Sequence, residues 1–585
     1  MRRTNTPMRQ DGRATRRMVG RQLLTAIAAL ATVFAAVPAQ AQKPSPAPAL
    51  AVIITSGAAD TNGHVHYIDV VMTVPDATAI AGAPVFWMPY IVANVESAAR
   101  TLAIGQVSDA KGELVLSPQD AEKGTQRVWI AARDVSGSLT IRYRVPVDNT
   151  PSAIGTGPPF QLRTEGNGFS GAGLTFLLAP AGERPYRISV HFDLSALGAG
   201  ATAMTIFGDG DVHLDAEPFG RLTQGFYMAG QLRRYPPGVG AGGFSSAWLD
   251  PIPFDGAALM AWTEGLYRWY SSFFRADAAR PYRVFMRYNP INPGGGVALP
   301  NAFVVTHDAK STSPDDLKVT LAHEMLHTQI AGIAQWFSEG AATYYARELA
   351  MRAGALTPAQ FLGNLNALAA RYYTNLLIAT PNAELQPRFW EDTRIRTLPY
   401  DRGSFYLAVV DGRIRKASGG TRSLDDLVLG LVARNRAHQP VNQDLWVELL
   451  TKEYGATAKA EFDAMLAGAT QLPESNGFGR CFQRVTKPFR RFELGFDSKI
   501  LAERGRVVRG IVAGSAAEQA GLRDGDEIVV PVALDAVQGE QDRSITYQVR
   551  REGRVLNISY LPRGETVQTY QWERVPGVPD AQCSR

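Results

Sequence analysis

The feature that most constrains this 585-residue chain is a change of hydrophobic period at the glycine- and proline-rich stretch 236–243. Before it, the runs 66–74, 127–131, 139–145 and 186–192 alternate apolar and polar residues at turn-spaced intervals, the pattern of half-buried antiparallel strands. After it, helical spacing dominates from Pro314 to about Gly468, with an amphipathic segment at 257–274 and further helical segments at 358–373, 404–418, 423–437 and 457–466. Strand-like runs at 282–288 and 301–306 open that half. From Phe492 short strands return, with one helical piece around 515–520. Three such patterns in one chain need separate cores. The expectation is a multidomain α+β protein: an N-terminal antiparallel β-sandwich over 42–236, a mostly α domain with a small sheet over 245–478, and a β domain over 481–585.

Composition is that of a soluble globular protein, 45% hydrophobic and 20% charged. The formal charge of +5 misleads, because residues 1–41 hold seven arginines against a single acid, Asp11. Without that segment the balance is −1, so charge gives no argument for a nucleic-acid partner. The segment itself reads as a signal peptide: an arginine-rich start, an apolar run over 23–37, and Ala39-Gln40-Ala41 as a small-x-small cleavage site. The run is shorter than the roughly 20 residues that cross a bilayer, and no later segment sustains enough apolar length. A secreted or periplasmic protein with no stable membrane span is expected, its first domain preceded by a proline-rich spacer at 43–48. Cys481 and Cys583 are the only cysteines. In an oxidising compartment they can close a long loop, and two thiols are too few for a cysteine-based zinc cluster.

The chemical signal is His323-Glu324-Met325-Leu326-His327. On a helix, residues four apart lie one turn above each other, so both imidazoles can meet one Zn²⁺ while Glu324 faces the water on that metal. Ser313 as N-cap, Pro314 in the first turn and Asp316 completing a capping-box pattern predict that helix. A catalytic zinc needs a third protein ligand and one open position. The metzincin spacing is excluded, since Ile330 and Ile333 occupy the positions of its glycine and third histidine. Glu339 is the better candidate if the first helix ends near Gly332 and the chain turns back as a helical hairpin; Glu348, further along the second helix, competes with it. His307 is expected to be a surface histidine.

The His323–His327 motif followed by Trp336-Phe337-Ser338-Glu339-Gly340-Ala341-Ala342-Thr343-Tyr344-Tyr345 resembles the gluzincin metallopeptidases. Among these the chain looks most like the glycyl aminopeptidase family, with a β-rich N-terminal domain, a thermolysin-like catalytic domain and a C-terminal PDZ domain. The resemblance implies one zinc per chain, held by His323, His327 and Glu339, with Glu324 as general base, and peptides or proteins as substrates. Leu398-Pro399-Tyr400-Asp401-Arg402-Gly403-Ser404 is similar to a segment of that family whose tyrosine stabilises the oxyanion, which gives Tyr400 that role. The stretch 294–301 keeps the glycines of the family's substrate edge, so Gly295, Gly296 and Asn301 are candidate substrate contacts, with 301–306 as the edge strand for an extended peptide. Val297 and Ala298 provide no acid to grip a free α-amine, so aminopeptidase specificity does not follow.

Phe492-Glu493-Leu494-Gly495-Phe496 and the run 514–528 resemble a PDZ domain. The resemblance makes Leu494, Gly495 and Phe496 the carboxylate-binding loop beside a strand edge, with C-terminal peptide tails as a further partner. Two rival readings remain at this stage: an inactive peptide-binding protein working through the PDZ-like groove, and a metal-dependent hydrolase of non-peptide substrates.

Overall fold

The computed structural model describes residues 47–150, 157–238, 243–249, 251–309, 312–330 and 335–583. The expected signal segment, its cleavage site at Ala41, Gly332, residues 43–46 of the spacer and residues 239–242 of the linker lie outside the described residues.

The alternating runs fold as strands. In Ala49–Ser56 every second residue, Leu50, Val52 and Ile54, is buried, and this strand lies beside Tyr67–Ala79 within a seven-stranded sheet. Its inner face shares one core with Phe86, Met88 and Trp129 of a four-stranded sheet, as a sandwich requires. The expectation of a purely antiparallel sandwich needs correction: Ala49–Ser56 pairs parallel with Pro185–Asp193. Turn-spaced runs predict hairpins between neighbours, whereas these two strands are joined only through the bulk of the domain.

The chain then builds a five-stranded sheet from β1 (Arg233–Tyr235), β2 (Phe244–Trp248), β3 (Tyr282–Tyr288), β4 (Gly296–Leu299) and β5 (Ala302–His307), in the order β1-β2-β3-β5-β4. Its first strand falls within the span expected for the N-terminal domain, so the crossing into the next sheet precedes the linker. Alternation in β3 feeds two cores: Phe285 packs with Phe226 and Met228 of the N-terminal region, while Val284 and Met286 join the helices. β5 is not the edge. β4 folds back antiparallel along it, through a turn in which Asn301 adopts φ 52°, a left-handed conformation that asparagine tolerates. That fold-back makes β4 the outer strand.

On the helical side lie α1 (Gly256–Phe273), α2 (Pro314–Gln329), α3 (Gln335–Arg352), α4 (Pro358–Tyr373), α5 (Thr393–Arg396) and α6 (Leu398–Ala417). α6 begins six residues before the helical segment expected at 404, with Pro399 tolerated in its first turn. Tyr400 therefore sits on a helix.

The C-terminal region opens and closes with a two-stranded antiparallel ribbon, β6 (Phe482–Phe492) and β7 (Arg563–Arg574). Between them a three-stranded sheet and short helices enclose a small core of Phe496, Ile528, Tyr547 and Val549. The expected boundary at 481 is not a boundary in packing. Phe482, Trp572 and the Cys481–Cys583 disulfide belong to the helical core, and the Asn366 side chain of α4 hydrogen-bonds both the carbonyl and the N–H of Trp572, at 2.9 and 2.8 Å. No described helix is long and apolar enough to cross a membrane.

Candidate metal centre

α2 starts as its sequence dictates. The Ser313 hydroxyl accepts from the Asp316 N–H at 3.3 Å and the Asp316 carboxylate accepts from the Ser313 N–H at 3.1 Å, closing a capping box. Leu317, Leu321, Met325 and Leu326 bury the opposite face, which fixes the rotation of the helix and leaves His323 and His327 on a shared face. Their Nε2 atoms are 3.0 Å apart. α2 ends at Gln329, and α3 brings Glu339 back against both: its Oε2 lies 3.1 Å from His327 Nε2 and 3.4 Å from His323 Nε2. Among the described residues this is the group of three side chains able to converge on one cation, with ligand atoms within 4.8 Å of one another. Glu348 is buried elsewhere on α3 and is not brought to the cluster.

Burial and charge act differently on each member. Burial lowers the His323 imidazole to about 4, which keeps the ring neutral. Burial also opposes charge on His327, but the Glu339 carboxylate outweighs it and the ring is raised. Glu339 is pushed up by burial, yet hydrogen bonds from His323 and His327 outweigh that and hold it near 2. The Ser338 hydroxyl lies 3.1 Å from His327 Nδ1, a partner that would accept from Nδ1–H and free the Nε2 lone pair for a cation once one takes the place of the Nε2 proton. Two imidazole nitrogens and one ionised carboxylate oxygen form a donor set that fits zinc.

Glu324 projects from α2 toward β4, its Cγ and Oε1 lying against Gly296. It is buried, and burial raises its carboxyl to about 7 against the opposing pull of His327 and of the Ala298 backbone N–H on the edge strand. The contact requires glycine on the strand: a Cβ at Gly296 would stand 2.5 Å from Glu324 Cγ. Thr320 completes the seam by donating to the Gly294 carbonyl at 2.9 Å.

Tyr400 reaches the cluster from α6. Its ring stacks on His323, centroids 5.7 Å apart and 20° from parallel. Burial, and then the Glu339 and Glu324 charges, drive its phenol well above its usual value, so it stays a proton donor. The approach of α6 to α3 depends on two glycines, since a Cβ at Gly340 would lie 2.7 Å from Gly403 Cα. The residues beside Glu339 and near Tyr400 thus let the two helix backbones touch.

Other expectations separate. Gly296 begins the edge strand beside Glu324 and Gly295 precedes it against Asn292, but Asn301 is exposed in the turn at the far end of β4 and is not part of the cluster. His307 is not at the surface: it ends the inner strand β5, 1% exposed, edge-on to Phe254 and Tyr288. Leu494 and Phe496 are buried, the Gly495 carbonyl accepts from the Val512 N–H at 2.8 Å, and the chain continues as a 3₁₀ helix, Ser498–Ala502. The Ser498 hydroxyl of that turn donates to Asp392 at 2.7 Å.

Sequence reading assigned no role to Ser338 or to the charges under Tyr400. Asp401, fully buried, accepts from Arg371 Nη2 at 2.5 Å and shares the Arg371 Nε–H between its two oxygens at 3.1 and 3.0 Å, a partner thirty positions away that local pattern does not reveal. Ser338 had a signal, its place on the helix next to the third carboxylate.

No protein-family model and no curated protein matches the chain. Solved structures do. An aminopeptidase N family protein from Idiomarina loihiensis is similar over 90% of this chain and 98% of its own, with a TM-score of 0.62 at 14% identity. An M1 zinc metallopeptidase from Deinococcus radiodurans is 16% identical over 73% of this chain and 94% of its own, with a TM-score of 0.44. Native yeast LTA4 hydrolase is 12% identical over 73% of this chain and 69% of its own, with a TM-score of 0.39. The likeness to the Idiomarina loihiensis protein, over 90% of this chain, is a likeness of fold.

Proposed function

We propose that the protein is a zinc-dependent peptidase that hydrolyses peptide bonds, with His323, His327 and Glu339 as metal ligands. The observation that carries this is the convergence of two imidazoles and a carboxylate on one point, with a separate buried carboxylate alongside them. A site that only bound peptide would have no use for that fourth group. Zinc held there would supply Lewis acidity, acidifying a water and polarising a carbonyl. Glu324 then accepts a proton at its carboxylate and returns it to the leaving amine, a task suited to a carboxyl whose burial brings it near neutrality. The Tyr400 phenol donates to the oxygen on which negative charge develops, an interaction worth about 3 kcal/mol where such donors have been removed. The outer edge of β4, beginning at Gly296, lies next to Glu324 and offers its backbone to an extended peptide.

Within this reading the chain is closest in organisation to the glycyl aminopeptidase family, its C-terminal module corresponding to a PDZ domain, and it acts outside the cytoplasm after removal of residues 1–41. The stretch 294–301 has no acid to hold a free α-amine, so cleavage is not confined to N-terminal residues.

Metal analysis of the purified protein is expected to find about one zinc per chain. Glu324→Gln keeps that zinc and abolishes cleavage of a peptide library offered with free and blocked N-termini. Undiminished cleavage by this variant refutes the general-base role, and blocked peptides left intact by the native protein refute the internal specificity.

A further inference from the structure

α6 carries Tyr400 in its first turn, yet its N-cap, Thr397, makes no side-chain cap. A helix end without a cap is held by whatever precedes it. Here that is α5, and α5 is fastened to the C-terminal module. The Asp535 carboxylate accepts from Arg396 through Nη2 at 2.6 Å and Nε at 3.1 Å, and also from the Thr393 hydroxyl. Gln538 donates to the Thr393 hydroxyl at 3.2 Å. At the start of α5, Ser498 donates to Asp392 Oδ2 at 2.7 Å and accepts from Arg394 Nη2 at 3.0 Å, while Asp392 caps α5 by accepting from the Arg394 N–H at 2.8 Å. Arg371, which holds Asp401 beside Tyr400, also donates to the Asp535 backbone carbonyl at 3.4 Å.

Both ends of α5 are thus gripped by residues from beyond position 490, and the grip passes into the turn bearing Tyr400. Asp535 is half-exposed, its side chain 45% accessible. An isolated surface pair of that kind contributes little to stability, but a two-pronged arginine contact within a network gives geometric definition. We propose that Asp535 is a positioning residue for the reaction, fixing Tyr400 through Arg396 and Thr393, so that the C-terminal module completes the active site. The proposal rests on the role given to Tyr400 above.

The test compares Asp535→Asn and Ser498→Ala with the native full-length, zinc-loaded protein, using an internally quenched peptide that the native protein cleaves. Misplacing a reacting group by about 1 Å costs on the order of a hundredfold in rate, and a partly loosened turn is expected to cost less. Asp535→Asn should lower kcat about tenfold with KM within about twofold, and Ser498→Ala about threefold, both with unchanged zinc content. Amide hydrogen exchange over residues 393–400 should rise in both variants, and Asp535→Glu should recover part of the loss. In a Tyr400→Phe background Asp535→Asn should cost nothing further. Unchanged exchange over 393–400, or losses that multiply fully with Tyr400→Phe, overturns the proposal. If Tyr400→Phe is itself silent while Glu324→Gln is dead, the tyrosine role and this proposal fall together and the zinc assignment stands.

Discussion

The helical pair around His327 and the loop around Gly495 both rest on short sequence motifs, and tertiary structure treats them in opposite ways. Around His327 the side chains converge: two rings and a carboxylate meet within 4.8 Å, and two glycines, Gly296 and Gly340, clear space so that Glu324 and Tyr400 can approach. Around Gly495 the apolar side chains of Leu494 and Phe496 turn inward, the glycine carbonyl is taken by Val512, and the next turn is spent on Asp392 and Arg394. Polar groups left facing one another in a cleft are available for chemistry; groups already paired inside a fold provide support. By that measure the first motif presents a set of groups able to hold a cation, and the second packs into the fold and supports it.

The contrast can be broken most severely at a ligand. His327→Ala removes the central nitrogen of the cluster and should reduce bound zinc from about one per chain to almost none, with complete loss of cleavage; metal analysis after dialysis checks it. A subtler break is Gly296→Ala, which puts a methyl 2.5 Å from Glu324 Cγ and forces the carboxylate or β4 to move. Zinc content should stay the same while kcat/KM falls on the order of a hundredfold, measured on the peptide used for Glu324→Gln. The smallest functional effect is expected at the second motif. Leu494→Ala should cost about 2–5 kcal/mol in denaturant unfolding, as truncation of a buried leucine does, while zinc content does not change. A loss of zinc in that variant, or retention of zinc in His327→Ala, would erase the distinction between the two regions.

The C-terminal module also departs from the picture of an appended domain. Its Trp572 is fully buried against Phe405 and Phe478 of the helical core, and the disulfide closes a loop with a sequence separation of 102 over that same core. A run of alternating residues identifies β7 as a strand, but alternation does not say which of two cores the inward side chain enters. The same limit explains β5. Its apolar run predicts a strand, and the fold-back that covers it depends on one turn at Asn301. His307 shows the limit at a single residue: a lone histidine after a strand carries no local mark of burial, which comes from Phe254 and Tyr288 arriving from elsewhere.

Much of the candidate site was legible because its components are local. Helical spacing alone stacks His323 on His327, and the Ser313 and Asp316 cap is written within four residues. The helical hairpin that returns Glu339 was foreseen from chain reversal, although α2 stops at Gln329. The partners of Asp401, Thr393 and Asp392 were not legible, because they lie from thirty to more than a hundred residues away and nothing in their own surroundings names them.

Sequence by itself determined the period of each segment, the helix that carries two imidazoles and one carboxylate, and the residue types able to hold a cation. Tertiary structure alone decided that Glu339 and not Glu348 faces them, that β4 and not β5 forms the edge, and that the turn bearing Tyr400 is held from the C-terminal module. The physical reason is one of range. Backbone periodicity and capping act over a few residues, whereas the choice of partner across a cleft follows from how whole elements pack, and only the assembled cores fix that choice.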